Sequence, residues 1–99
     1  MNKELRVRLL LAMQASLIGY VSSNIRGVSC GHSENDITIV VVFDGEISDD
    51  DREAMEEVGS EMASHFGHEK VKVQCVRVDA PAPFRNVMLE HWAYGRRES

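Results

Sequence analysis

Cys30 and His32 stand two positions apart, so on a strand both side chains share one face. There an imidazole can lower a thiol's pKa and make it a nucleophile. Neither an orienting acid nor an oxyanion donor is identifiable beside the pair, and a cysteine in a strand ordinarily packs as a small hydrophobe. The flanking Gly27 and Gly31 form no phosphate-binding motif and read as bends or points of close backbone approach. His65 and His68 make an H-x-x-H with Glu61 one turn earlier, short of the convergent ligands that zinc needs, and Gly67 interrupts the helix between them. His65 reads instead as a partner for a helix C-terminal dipole. Asp49, Asp50 and Asp51 lack the spacing and central glycine of a calcium loop. No metal and no cofactor is therefore expected. Arg85, Trp92, Tyr94, Arg96 and Arg97 combine stacking surfaces with phosphate-seeking bases. Trp92 and Tyr94 on one strand face are also what a core or an interface anchor looks like.

Charge weighs against nucleic acid. The chain has 99 residues, 16 acidic and 11 basic, for a net −5. From Asp44 to Glu61 run nine acids (Asp44, Glu46, Asp49, Asp50, Asp51, Glu53, Glu56, Glu57, Glu61) against the single base Arg52, a local −8 that leaves +3 elsewhere. A general nucleic-acid binder carries the opposite balance. A concentrated acidic segment suits a basic partner, a cation or solubility. Its carboxylates occupy neighbouring helix positions rather than facing walls of a cleft, so they are read as a solvated face or a docking surface, not as an acid–base pair.

Those side chains must be held by one compact unit, since the length admits one domain, residues 1–99, and no linker or repeat divides it. Hydrophobic residues at 43% and charged residues at 27% exclude disordered and low-complexity classes. Cys30 and Cys75, far apart and outside any CxxC, read as reduced thiols of a cytosolic protein. Lys3, Arg6 and Arg8 before Leu9-Leu10-Leu11 imitate a signal peptide, but Glu4 sits within the basic stretch and Gln14 and Ser16 interrupt the apolar one. The run is also far short of the roughly 20 apolar residues of a membrane span. A cytoplasmic location and no membrane partner are expected.

The periodicity predicts a helix over 2–18, apolar around most of its girth and so either central to the core or covered by a partner. Strands are predicted at 25–32 and 37–43, joined at Ser33-Glu34-Asn35 as an antiparallel hairpin. The second, β-branched on both alternations, reads as an interior strand covered on both faces or near a dimer seam. Ser48 caps a second helix with Asp51 three residues on, and Met55, Val58, Met62 and Phe66 form its apolar stripe. Val71, Val73 and Cys75 alternate before the phase shifts to Val76 and Val78, which predicts a bulge near 75–76. Ala80-Pro81-Ala82-Pro83 is a stiff link, and a last strand is expected over 87–94 with Met88, Glu90, Trp92 and Tyr94 on one face. The fold class is α+β, a two-layer sandwich of order α-β-β-α-β-β with two helices on a mostly antiparallel four-stranded sheet.

Three segments carry a resemblance. They are the helix Glu4-Leu5-Arg6-Val7-Arg8-Leu9-Leu10-Leu11-Ala12-Met13-Gln14, the turn Phe43-Asp44-Gly45-Glu46-Ile47-Ser48 leading into Asp50-Asp51-Arg52-Glu53, and Arg77-Val78-Asp79-Ala80-Pro81-Ala82-Pro83. With them the chain is similar to the small acidic immunity proteins that accompany bacterial toxins, in particular those of contact-dependent growth inhibition and their colicin-like relatives. The resemblance implies a cytoplasmic, non-enzymatic protein that binds and blocks one cognate toxin domain, commonly a nuclease. It brings no shared catalytic residues. Charge complementarity to a phosphate-binding cleft places the toxin contact on Asp49, Asp50, Glu53, Glu56, Glu57 and Glu61, with Trp92 as a desolvated anchor. Two other readings stand beside it: a cytosolic homodimeric interaction module unrelated to toxins, and a small cysteine-dependent enzyme using Cys30 and His32.

Overall fold

The structure, a computed structural model, describes residues 3–98. Helix α1 spans Lys3–Leu17, with Leu9, Ala12, Met13, Ser16 and Leu17 turned inward; Asn2, at the predicted start, lies outside the described residues. The chain does not enclose this helix on all sides, which leaves cover by a partner as the predicted setting for its exposed flank. Helix α1 shares one layer with the second helix at the surface of the sheet, so a single face is covered, and Val7, Leu11 and Ile18 remain 45%, 65% and 77% exposed.

Strands β1 (Ile25–Ser33) and β2 (Asp36–Phe43) form the predicted hairpin, in register from Ser33↔Asp36 through Cys30↔Ile39 to Val28↔Val41. Glu34 makes the tight turn at φ 51°. Val28, Cys30, Ile37, Ile39, Val41 and Phe43 face the helices and join one apolar core with Leu9, Met13, Met55, Val58 and Met62. Each such side chain, fully buried, stabilises the fold by roughly 1.5–3 kcal/mol before entropy is counted.

Helix α2 covers Asp49–Ser64. Ser48 Oγ accepts from Asp51 N at 3.0 Å, as a cap must. The Asp51 carboxylate accepts from Asn24 Nδ2 at 2.9 Å, tying the helix start to the segment before β1. Met55, Val58, Met62 and Phe66 are buried as the stripe predicts. Gly59 is buried among them because a Cβ there would stand 2.8 Å from Val73 Cγ2; the missing side chain lets α2 settle against the third strand.

That strand, β3 (Lys70–Arg77), runs parallel to β2 from Asp36↔Lys70 to Phe43↔Arg77 without a break. The predicted bulge near Cys75 is absent. Val71, Val73 and Cys75 pack on the helix-side core, while Val76 pairs with Val42 on the opposite face, so the change of phase reflects cover on both faces.

Residues 78–90 cross that opposite face and include a single 3-10 turn at Arg85–Val87. Phe84 and Met88 lie over Gly27, where a Cβ would come within 2.8 and 2.9 Å of them, and Leu89 N donates to Ser29 Oγ at 2.9 Å. The last strand is therefore shorter than predicted: β4 is His91–Gly95, antiparallel to β1. Ala93 is an extra residue in it, since Val28 pairs with Tyr94 while Ser29 pairs with Trp92. Tyr94 thus packs toward the helices and Trp92 toward Phe84, and the predicted common face is lost. The sheet order is β3-β2-β1-β4, with one parallel and two antiparallel pairs, an α+β fold of the predicted element order.

Candidate functional site

The burial of Met55, Val58 and Met62 against the sheet fixes which side of α2 meets solvent. Asp49, Asp50, Glu53, Glu56, Glu57 and Glu61 are all exposed. They cover three turns, and the first three acids of the helix sit where the N-terminal dipole favours negative charge. Tyr20, just past α1, joins Glu53, Glu56, Glu57, Ser60 and Glu61 around an open depression of about 430 Å³. A hydrogen bond from its hydroxyl to Glu57, reinforced by the charges of Glu57 and Glu61, raises the Tyr20 pKa. Tyr20 is the aromatic that sequence reasoning missed. No local pattern marks it; only the packing of α1 beside α2 brings it to the acidic face.

Two acids of the −8 segment are engaged elsewhere. Asp51 holds Asn24, and Asp44 accepts from Arg96 Nη2 at 2.9 Å and from Ala80 N at 3.1 Å. The Arg96 hydrogen bond and then the Ala80 N–H hold the Asp44 carboxyl below its ordinary pKa. Arg26 lies at the centre of this second cluster. It is the extra residue where Ile25 pairs with Phe43 and Gly27 with Val42, and the bulge sends its side chain under Phe84, 4.5 Å from the ring centroid. Though 2% exposed, it donates to Glu98 through Nε and Nη2 and to the carbonyls of Val78 and Ala82 through Nη1. A buried guanidinium is tolerable only when paired in this way. The cluster fastens the crossing segment and the chain's end to the sheet.

The remaining candidates are scattered. Cys30 is fully buried, and desolvation pushes its thiol up to about 11, opposite to what a nucleophile needs. His32 shares its face of the sheet but is half-buried beside the turn of the hairpin. His65 is the C-cap residue of α2, 4.0 Å from Glu61. Among the described residues no three His, Cys, Asp or Glu side chains are grouped to hold a metal ion. Trp92 is 40% exposed, tilted against Phe84 with ring centroids 5.8 Å apart and with the Arg85 guanidinium 5.3 Å over its ring. It therefore lies on the face of the sheet away from α2. The structure brings the six acids together and leaves Trp92 on another surface.

No helix among the described residues is long and apolar enough to cross a membrane. A comparison with curated proteins finds no match. A family model described as MafI2 immunity protein matches residues 6–98, from the first turns of α1 to the Glu98 that closes the Arg26 cluster. The chain belongs to the MafI2 immunity protein family.

Proposed function

We propose that the protein neutralises one cognate bacterial toxin by stoichiometric binding in the cytoplasm, without turnover, and that the toxin is a nuclease whose phosphate-binding cleft meets the outer face of α2. Family membership supports toxin neutralisation. The observation that carries the finer reading is the exposed acidic face of Asp49, Asp50, Glu53, Glu56, Glu57 and Glu61 around Tyr20. A cleft that binds nucleic acid presents Lys and Arg at phosphate spacing, and a rigid helix of carboxylates answers that field while obstructing the substrate's path. Tyr20 adds an aromatic surface with a polar tip, the side-chain type that anchors interfaces. Trp92 is a second anchor for a toxin that also wraps around the β4 edge.

The test replaces Glu53, Glu57 and Glu61 together with lysine. Affinity for the cognate toxin domain falls by at least about 100-fold if the face is the contact, the scale set by close charge pairs at such interfaces. Unchanged affinity in a folded variant removes the reading. The exposed Val7 and Leu11 of α1, with Ile18 just past its end, favour a second reading, a homodimer through that helix. Sedimentation of the isolated protein as a monomer at micromolar concentration removes it.

A further inference from the structure

We infer that the open edge of β3 receives an extended segment of the toxin as a fifth strand, with basic side chains directed toward α2. The inference rests on the reading of the partner as a basic toxin. β3 ends the sheet, and among the described residues no other segment pairs with its outer edge. The direction of its free groups follows from the ladder. Lys70 N donates to Asn35 O at 2.8 Å and Val78 N to Phe43 O at 3.0 Å, so the amides of even-numbered residues point to the β2 side. The register is unbroken between them. Alternation along a strand then turns the N–H and C=O groups of Val71, Val73 and Cys75 outward.

The two edges of the sheet differ in the way that matters for pairing. β4 has five residues, a bulge at Ala93 and the Gln14 side chain of α1 at the Ala93 carbonyl. Short length, bulges and cover are how edges are closed to other strands. β3 has eight residues in regular register and no proline. Beside it a groove of about 200 Å³ runs between Glu56, Gly59, Ser60 and Ala63 of α2 and the side chains of Val71 and Val73. A strand added to this edge lays every second side chain into that groove. A lysine or arginine there meets Glu56, and a small residue fits beside Gly59 and Ala63. The intervening side chains emerge on the opposite face with Lys70, Lys72 and Gln74, where acidic or polar residues pair across strands.

Charge selects the occupant. A second copy pairing β3 to β3 about a two-fold axis sets two α2 helices side by side on one face of a continuous sheet, each lined with exposed carboxylates. Like charges so juxtaposed oppose association, whereas a basic strand relieves them.

Amide hydrogen exchange of the intact protein, alone and saturated with its cognate toxin domain, tests the inference. Val71, Val73 and Cys75 are predicted to exchange freely when the protein is alone and to slow by roughly 100-fold in the complex. A complex that forms, is weakened by lysine at Glu53, Glu57 and Glu61, and leaves these amides fast overturns strand addition while the acidic-face reading stands. Slowed amides in a complex indifferent to those lysines support strand addition and overturn the acidic-face reading. Protection that grows with the concentration of the isolated protein assigns the edge to a second copy and overturns the inference.

Discussion

Arg26 and Glu98, 72 residues apart in the sequence, form a two-pronged ion pair: Nε lies 2.7 Å from Oε2 and Nη2 lies 2.8 Å from Oε1. Bidentate pairing suits a planar guanidinium better than any ammonium. Replacing Arg26 with lysine therefore leaves the Val78 and Ala82 carbonyls and half of Glu98 unmatched. The unfolding midpoint of Arg26→Lys is expected to drop by several degrees in a thermal melt, with toxin binding kept at temperatures where the variant is folded.

The same pair makes stability depend on acid. The Arg26 hydrogen bonds, helped by Arg96, hold the Glu98 carboxyl down from 4.5 to about 2. The unfolded chain takes up a proton near pH 4.5 that the folded chain refuses, so the contribution is complete above that pH and fades as pH falls toward about 2. Urea midpoints of the wild type and Glu98→Gln should differ at pH 6 and converge between pH 4.5 and 2. A constant difference throughout that range contradicts the assignment.

Gly59 and Val73 set the distance between α2 and the sheet edge. Alanine in place of a helical glycine gains about 1 kcal/mol from backbone entropy, whereas forcing a methyl into a packed site costs about 1–3 kcal/mol. With the new Cβ 2.8 Å from a stiff β-branched side chain, the cost wins. Gly59→Ala alone is expected to destabilise, and in a Val73→Ala background to stabilise. Denaturant melts of the four members of this cycle read the coupling directly.

Cys30 supports the fold and is expected to be chemically silent. Iodoacetamide at pH 8 should leave it unmodified in the folded protein and label it on unfolding. Cys30→Ala is expected to lose roughly 1 kcal/mol of stability and keep full toxin neutralisation. Loss of protection in a folded Cys30→Ala variant revives the cysteine-enzyme reading.

Trp92 separates a toxin confined to the helix layer from one that also reaches around the sheet. As a second anchor Trp92 should carry about 1 kcal/mol or more of the binding energy, so Trp92→Ala is expected to weaken affinity at least about 5-fold, and a change of less than about 3-fold confines the toxin to α2. Titration calorimetry against the toxin domain measures it.

Much of the fold was legible where local signals and packing agree. Ser48 with its acids, the Met55-Val58-Met62-Phe66 stripe and the hairpin at Ser33-Glu34-Asn35 are such places, because caps, helical period and turns are written in adjacent residues. The acidic face followed from the stripe, since burying one side of a helix exposes the other. What was not legible depends on distant partners. Nothing near Arg26 announces Glu98, and nothing near Tyr20 announces Glu57. The extra residue Ala93, which parts Trp92 from Tyr94, is visible only in the pairing with β1. The run from Val71 to Val78 misled because a strand covered on both faces near its end mimics a bulge in its hydrophobic phase.

The central claim, that the outer face of α2 receives the toxin, is tested most directly by the association rate constant as a function of salt. For the wild type the rate should fall on the order of 10-fold or more between about 50 and 500 mM salt, as attraction across the encounter is screened. With lysine at Glu53, Glu57 and Glu61 it should be slow at low salt and no longer fall as salt is added. A folded triple variant that binds at the wild-type rate, with the wild-type salt dependence, contradicts the account.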